Sequence, residues 1–163
     1  MKVVNKVIVV TGAGGGIGSA FVMNLLSKGA TVAAVDLNEK ALKKLVKIAN
    51  AGDKLSIHSL NLTDLEAVEA LPEKVIKKHG AIDGIINNAG IIQPFIPISD
   101  LSYEKIKQVM DINFYGTLYM VKSFLPHLKE RPEAHIVNIS SMGASCLFLD
   151  NLFMEHQKLQ LNS

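Results

Sequence analysis

VIVVTGAGGGIG, residues 7–18, decides the fold. Val7 to Val10 are apolar without a break, which marks a strand covered on both faces rather than one with a wet side. Glycines follow at once, and they let a chain turn tightly and pass close to a ligand with no Cβ in the way. Ile17, Ala20, Phe21 and Leu25 then recur at helical spacing, and Lys28-Gly29-Ala30 supplies a glycine stop. The stretch predicts a strand, a turn and a helix whose first N–H groups are free to meet a phosphate. A glycine cluster alone can also be a bare turn. No Gly-Lys-Ser/Thr ending follows, which disfavours a P-loop.

The same alternation continues outward. Thr31 to Val35 predicts a second strand, Asn38 to Asn50 a Lys-faced helix, and Leu55 to Leu60 a third strand. Thr63 and Glu66 have capping-box spacing and start a helix that runs towards His79. Gly84 to Asn87 reads as a fourth strand, Leu101 to about Leu128 as a long amphipathic helix with Pro126 near its end, and His135 to Ile139 as a fifth strand. Strands apolar on both faces, joined by helices, predict an α/β fold: a doubly wound parallel sheet of Rossmann type, about five strands, with helices on both faces. Asp36 stands at the end of the second strand. A carboxylate there accepts bonds from two ribose hydroxyls and repels a 2′-phosphate, so NAD is expected over NADP. The alternative for Asp36 is a helix-capping acid.

Composition narrows the classes. Of 163 residues, 48% are apolar and 20% charged, which fits one globular domain. A net charge of +2 with scattered Lys and Arg offers no stripe for nucleic acid. The apolar runs are too short to span a bilayer, and Asn5-Lys6 interrupts any signal-peptide core. The single cysteine, Cys146, excludes an internal disulfide framework and a cysteine zinc cluster, and no metal site is expected. A cytoplasmic protein without membrane or nucleic-acid partners is the expectation.

Four motifs fall in order on the predicted elements: TGAGGGIG at Thr11 to Gly18, NNAG at Asn87 to Gly90, Asn113 in the long helix, and NISS at Asn138 to Ser141. The series resembles the classical short-chain dehydrogenase/reductase family over about residues 3 to 142. That resemblance implies an NAD-dependent oxidoreductase that acts on a small alcohol or ketone by hydride transfer. It implies that Gly12, Gly16 and Gly18 line the cofactor pyrophosphate, with Ile17 following into the same site. Asn88, Ala89 and Gly90 would steady the central sheet and flank the adenosine. Asn113 would hold a lysine through a water, and Ser141 would bond the substrate oxygen, since Ser140 is one residue out of register with the expected tyrosine. Where the family has an acid that touches the adenine, this chain has Asn61, followed by Leu62. An amide can still bond the adenine edge.

The family's proton donor is a tyrosine thirteen residues after the serine, with a lysine four residues further; here those places hold Met154 and Lys158. A phenol with a pKa of about 10 needs a neighbouring ammonium before it can exchange a proton at neutral pH, and a thioether has no proton to give. Tyr103, Tyr115 and Tyr119 all lie upstream, and without a tyrosine beside it Lys158 reads as a solvated lysine. Genetic-code arithmetic suggests why. Read from the third base of each codon, the codon across Phe153 and Met154 permits only Tyr or His, and the next only Gly. Those that follow permit Ala, Ser and Lys in order, which resembles the family's own continuation. The expectation is a frameshift near Met142–Gly143, giving an incomplete domain over 1–142 and a non-family tail over 143–163.

Several consequences are expected. The sheet would stop at its fifth strand with an open edge. The long helix would lose a neighbour and leave Met120 and Phe124 in water. Assembly into the homo-oligomers of full-length relatives would be impaired. Three functions compete: an oxidoreductase of the family's type, a catalytically dead nucleotide-binding fragment, and a non-functional product or sequestering partner of intact subunits.

Overall fold

The structure, a computed structural model, describes residues 1–140. Its strands are β1 (Val7–Thr11), β2 (Thr31–Asp36), β3 (Leu55–Ser59), β4 (Gly84–Asn87) and β5 (His135–Asn138). Its helices are α1 (Gly16–Ser27), α2 (Glu39–Ala49), α3 (Leu65–Glu69), α4 (Leu71–His79), α5 (Tyr103–Met110) and α6 (Thr117–Lys129). The strands form one parallel sheet in the order β3-β2-β1-β4-β5. The chain winds outward from β1 to β3, then returns to lay β4 on the other side of β1. That reversal opens a crevice at the C-terminal ends of β1 and β4.

Two-sided burial explains the unbroken apolar run. Val7 and Val9 pack with Val68, Leu71, Val75, Phe124 and Leu128 on one face. Ile8 and Val10 pack with Val22, Leu25, Leu42 and Leu45 on the other. Helix ends follow the local chemistry: Asn38 caps α2 by accepting from the Ala41 N–H at 3.1 Å, and Asn50 stops it in a left-handed conformation, φ 44°.

Three expectations need correction. Asp64, not Thr63, is the N-cap of α3: its carboxylate accepts from the Ala67 N–H at 3.1 Å, while the Thr63 N–H goes to Asn61 Oδ1. The expected single helix to His79 is two, because Pro72 lacks an N–H and sits in the first turn of α4. Met120 and Phe124 are not in water; both are wholly buried. With Leu128 they form an i, i+4 row that faces the sheet and packs beside α3 and α4. The large apolar side chains left outside on this stretch are Tyr103, Ile106, Met110, Phe114, Tyr115, Leu118 and Leu125.

Among the described residues β5 pairs only with β4, and all four of its residues are exposed. The boundary at 142 and the tail 143–163 lie outside the described residues.

At the opposite end of the sheet, Asp83 is 2% exposed and ties three strands together. Its carboxylate accepts from the Val7 N–H at 2.9 Å and from Arg131 Nε at 3.0 Å, with Lys6 Nζ 3.5 Å away. Its own N–H donates to the Val7 carbonyl, and its carbonyl accepts from the His135 N–H. Burial pushes the carboxyl pKa up, but the Val7 N–H, the Arg131 guanidinium and the Lys6 ammonium together outweigh it and hold it below the usual range. Asp83→Asn should cost about 2–4 kcal/mol, below the full penalty for breaking a buried pair because Arg131 and Lys6 keep some water. A depressed carboxyl stabilises the fold above the unfolded pKa of about 3.9 and loses that contribution as pH falls through the lower folded value. Denaturant melts should therefore show the gap between wild type and variant at pH 7 closing well below pH 4 (about 3.9 being the reference). An equal gap at every pH would refute this account of Asp83.

Candidate functional site

The glycine loop is shaped by what cannot fit. A Cβ on Gly18 would stand 2.0 Å from the Gly12 carbonyl oxygen, so α1 can lie on the loop only without one. Gly12 has φ +65°, and a Cβ there would stand 2.8 Å from Ala89 Cα. Gly16 differs: a Cβ there meets nothing within 4 Å. It faces open space in the crevice. No side chain caps α1, so the N–H groups of its first turn are left to whatever enters.

Asp36 closes one side of the loop. Its Oδ2 accepts from the Gly14 N–H at 2.9 Å and its Oδ1 from the Asn38 N–H at 2.8 Å. Each oxygen keeps a further lone pair for a donor in the crevice. The capping reading of Asp36 is a minor part of the picture, since Asn38 caps α2. Asn61 spends its Oδ1 on the Thr63 N–H, and its amide Nδ2 has no partner among the described residues where it lines the cleft.

The NNAG segment is bolted to the loop through Thr11, which the sequence reading passed over. Thr11 is 1% exposed, and its Oγ1 accepts from the N–H groups of Asn88 and Ala89 at 3.0 and 3.1 Å. Asn88 Nδ2 returns bonds to the Thr11 and Gly12 carbonyls. Asn87 Nδ2 donates to Asn138 Oδ1 at 2.8 Å, joining β4 to β5. The two residues are register partners, which no local pattern reveals.

Asn113 lies in a π-helical turn, Asp111–Gly116, between α5 and α6. It accepts from the Ile91 N–H at 2.9 Å and donates to the Ile91 carbonyl at 2.8 Å, so its amide clasps the chain just after NNAG. The turn also brings Gly116 against Leu62, where a Cβ would stand 3.0 Å from the leucine Cβ.

All ten residues assigned to the cofactor, Gly12, Gly16, Ile17, Gly18, Asp36, Asn61, Leu62, Asn88, Ala89 and Gly90, line one cleft of about 400 Å³. Val35, Leu37, Leu60, Ile91 and Ile112 complete its apolar walls. Ser141, Met154 and Lys158 lie outside the described residues. Open backbone space at Gly16, uncapped N–H groups, a carboxylate at the end of β2 and flat apolar walls fit an adenine dinucleotide. Sheet order, crevice and loop together define a nucleotide-binding, doubly wound α/β fold.

The family model for short chain dehydrogenase matches residues 6–148, and the chain belongs to that family. It is similar to 3beta-hydroxysteroid dehydrogenase 2 of Eggerthella lenta, 32% identical over 140 residues, which is 85% of this chain and 54% of that one. It is similar to 2,5-dichloro-2,5-cyclohexadiene-1,4-diol dehydrogenase of Sphingobium indicum, 37% identical over 139 residues, 85% of this chain and 55% of that one. The crystal structure of NAD+-bound xylitol dehydrogenase superposes with a TM-score of 0.84 at 32% identity, covering 89% of this chain and 56% of that one. The chain thus spans about half the length of the curated relatives it matches. No helix among the described residues is long and apolar enough to cross a membrane.

The two glycines at α1 should respond oppositely to one methyl group. Gly18→Ala forces backbone from backbone and should cost about 3 kcal/mol or more, at the upper end of overpacking. Gly16→Ala should leave stability within about 1 kcal/mol of wild type, because the space is open and alanine favours helix. Thermal melts of the two variants compare them directly, and equal destabilisation would contradict the packing described.

Proposed function

We propose that the chain carries the cofactor half of a cytoplasmic NAD-dependent oxidoreductase of alcohols and ketones, and that by itself it turns over no substrate. One observation carries the reading: the Asp36 carboxylate stands at the mouth of the glycine loop, fixed by the Gly14 and Asn38 N–H groups. Two such oxygens suit the paired hydroxyls of an unphosphorylated ribose and repel a 2′-phosphate. Bound NAD would supply a nicotinamide able to take or give a hydride at the carbinol carbon. Gly12, Gly16 and Gly18 would give the pyrophosphate its room, the first turn of α1 its N–H donors, and Asn61 and Leu62 an edge and a face for the adenine. Asn88, Ala89 and Gly90, held by Thr11, would keep the adenosine side rigid.

On the substrate side, Ser141 would donate to the substrate oxygen and Asn113 would organise the proton relay. The relay has no terminus in this chain: Met154 occupies the donor's position, and Lys158 has no phenol to polarise. A frameshift after about residue 142, with 143–163 as a non-family tail, would account for that substitution. The similarity to enzymes named for steroid and cyclic diol substrates supports a secondary alcohol as the lineage's substrate class.

Calorimetric titration tests both halves. NAD should bind and raise the melting temperature, and NADP should bind more weakly. Asp36→Ala should weaken NAD by about 10- to 100-fold, the worth of hydrogen bonds to a charged acceptor, and narrow the gap to NADP. Gly16→Ala, despite its stability, should lose NAD. Absence of NAD binding would sink the cofactor reading, and hydride transfer from a secondary alcohol above background would sink the claim of inactivity.

A further inference from the structure

A second cluster of reactive side chains lies away from the cleft, where edge strand β3 meets the end of α4. Ser56 and His58 are two residues apart on β3 and share a face of the strand. His79 is the last residue of α4. His58 Nε2 lies 2.9 Å from Ser56 Oγ, and His79 Nε2 lies 2.7 Å from the same oxygen. All three residues are half-buried. A hydroxyl has one proton, so one ring accepts it and the other donates its own Nε2–H to the oxygen. Two imidazoles from different elements therefore aim the same nitrogen at one point.

We propose that His58 and His79, with the Ser56 hydroxyl, form a binding site for a borderline divalent cation such as Zn²⁺. The ion lies beside the Ser56 oxygen, facing both Nε2 atoms, with the hydroxyl as a third, neutral ligand and water completing the shell. Imidazole nitrogen suits this class of metal, and Zn–N bonds of about 2.0–2.1 Å require only a small closure of the two rings. Binding moves one proton from Nε2 to Nδ1 of the same ring, a change of tautomer with no net proton released. Burial, reinforced by His79 and Lys74, holds His58 down to a pKa of about 4; burial and Lys78 lower His79, against a smaller pull from Asp53. Both rings are thus neutral near pH 7 and have lone pairs to give. Lys74 and Lys78 oppose a cation here, but both are exposed and screened, and Lys78 is paired with Asp53 at 2.9 Å. No third His, Cys, Asp or Glu completes a metal cluster among the described residues. The site is therefore an exchangeable clip between α4 and β3.

Titration of Zn²⁺ into the full 163-residue chain at neutral pH, followed by calorimetry and thermal melting, tests it. One ion should bind at this site and raise the melting temperature. His58→Gln and His79→Gln should each weaken binding by about tenfold or more. His127→Gln and His135→Gln should leave it unchanged. Because His58→Gln touches a half-buried position, imidazole ¹⁵N spectra of the unmodified chain give a second readout: Zn²⁺ should shift the His58 and His79 rings together. Undiminished affinity in His79→Gln, or ring shifts confined to other histidines, would overturn the proposal.

Discussion

The cleft exists because α1 can rest directly on the carbonyl of Gly12. A Cβ at Gly18 would stand 2.0 Å from that oxygen, a distance no real contact allows. With the methyl absent, the helix N-terminus comes to the tip of β1; Gly14 lies within hydrogen-bonding reach of Asp36, and Ala89 approaches Gly12, which lacks a Cβ of its own. Thr11 then locks the arrangement from beneath, since its hydroxyl accepts from both Asn88 and Ala89. Three segments far apart in sequence are thus fixed by close approach first and hydrogen bonds second.

The sheet contributes a different constraint. Its strands are short, so alternation alone carries little signal, yet each is buried on both faces by helices whose inner rows are regular. Asp83 supplies the polar counterpart at the lower end, where the first backbone groups of β1, β4 and β5 would otherwise drift apart. It is an ionic clamp among apolar layers. Its low pKa follows from the company it keeps.

Much of this was legible in the sequence. Val7 to Val10 announces two-sided burial, and the glycines, Asp36 and NNAG announce where a ligand would lie, because each depends on local backbone chemistry. Much of what stayed hidden depends on distant partners: Val7 to Asp83 is a separation of 76, and Asn88 to Thr11 of 77. Asp83 reads as an ordinary acid before a strand, and Ser56, His58 and His79 as unrelated polar residues. Met120 and Phe124 misled because membership of a long helix does not say which row faces the sheet. Thr63 misled because Asp64, one residue on, is the stronger cap.

The π turn between α5 and α6 sets the phase of everything after it. An α-helix advances about 100° per residue, so one extra residue in a turn rotates the rest of the rod by more than a quarter circle. Asn113 can therefore reach Ile91 at the cleft while Met120, Phe124 and Leu128 still point at the sheet. Shortening Asp111–Gly116 by a single position would turn that inner row of Met120, Phe124 and Leu128 away from the sheet. The helix works like a key whose teeth are cut in two orientations, and the bulge is the twist in its shaft.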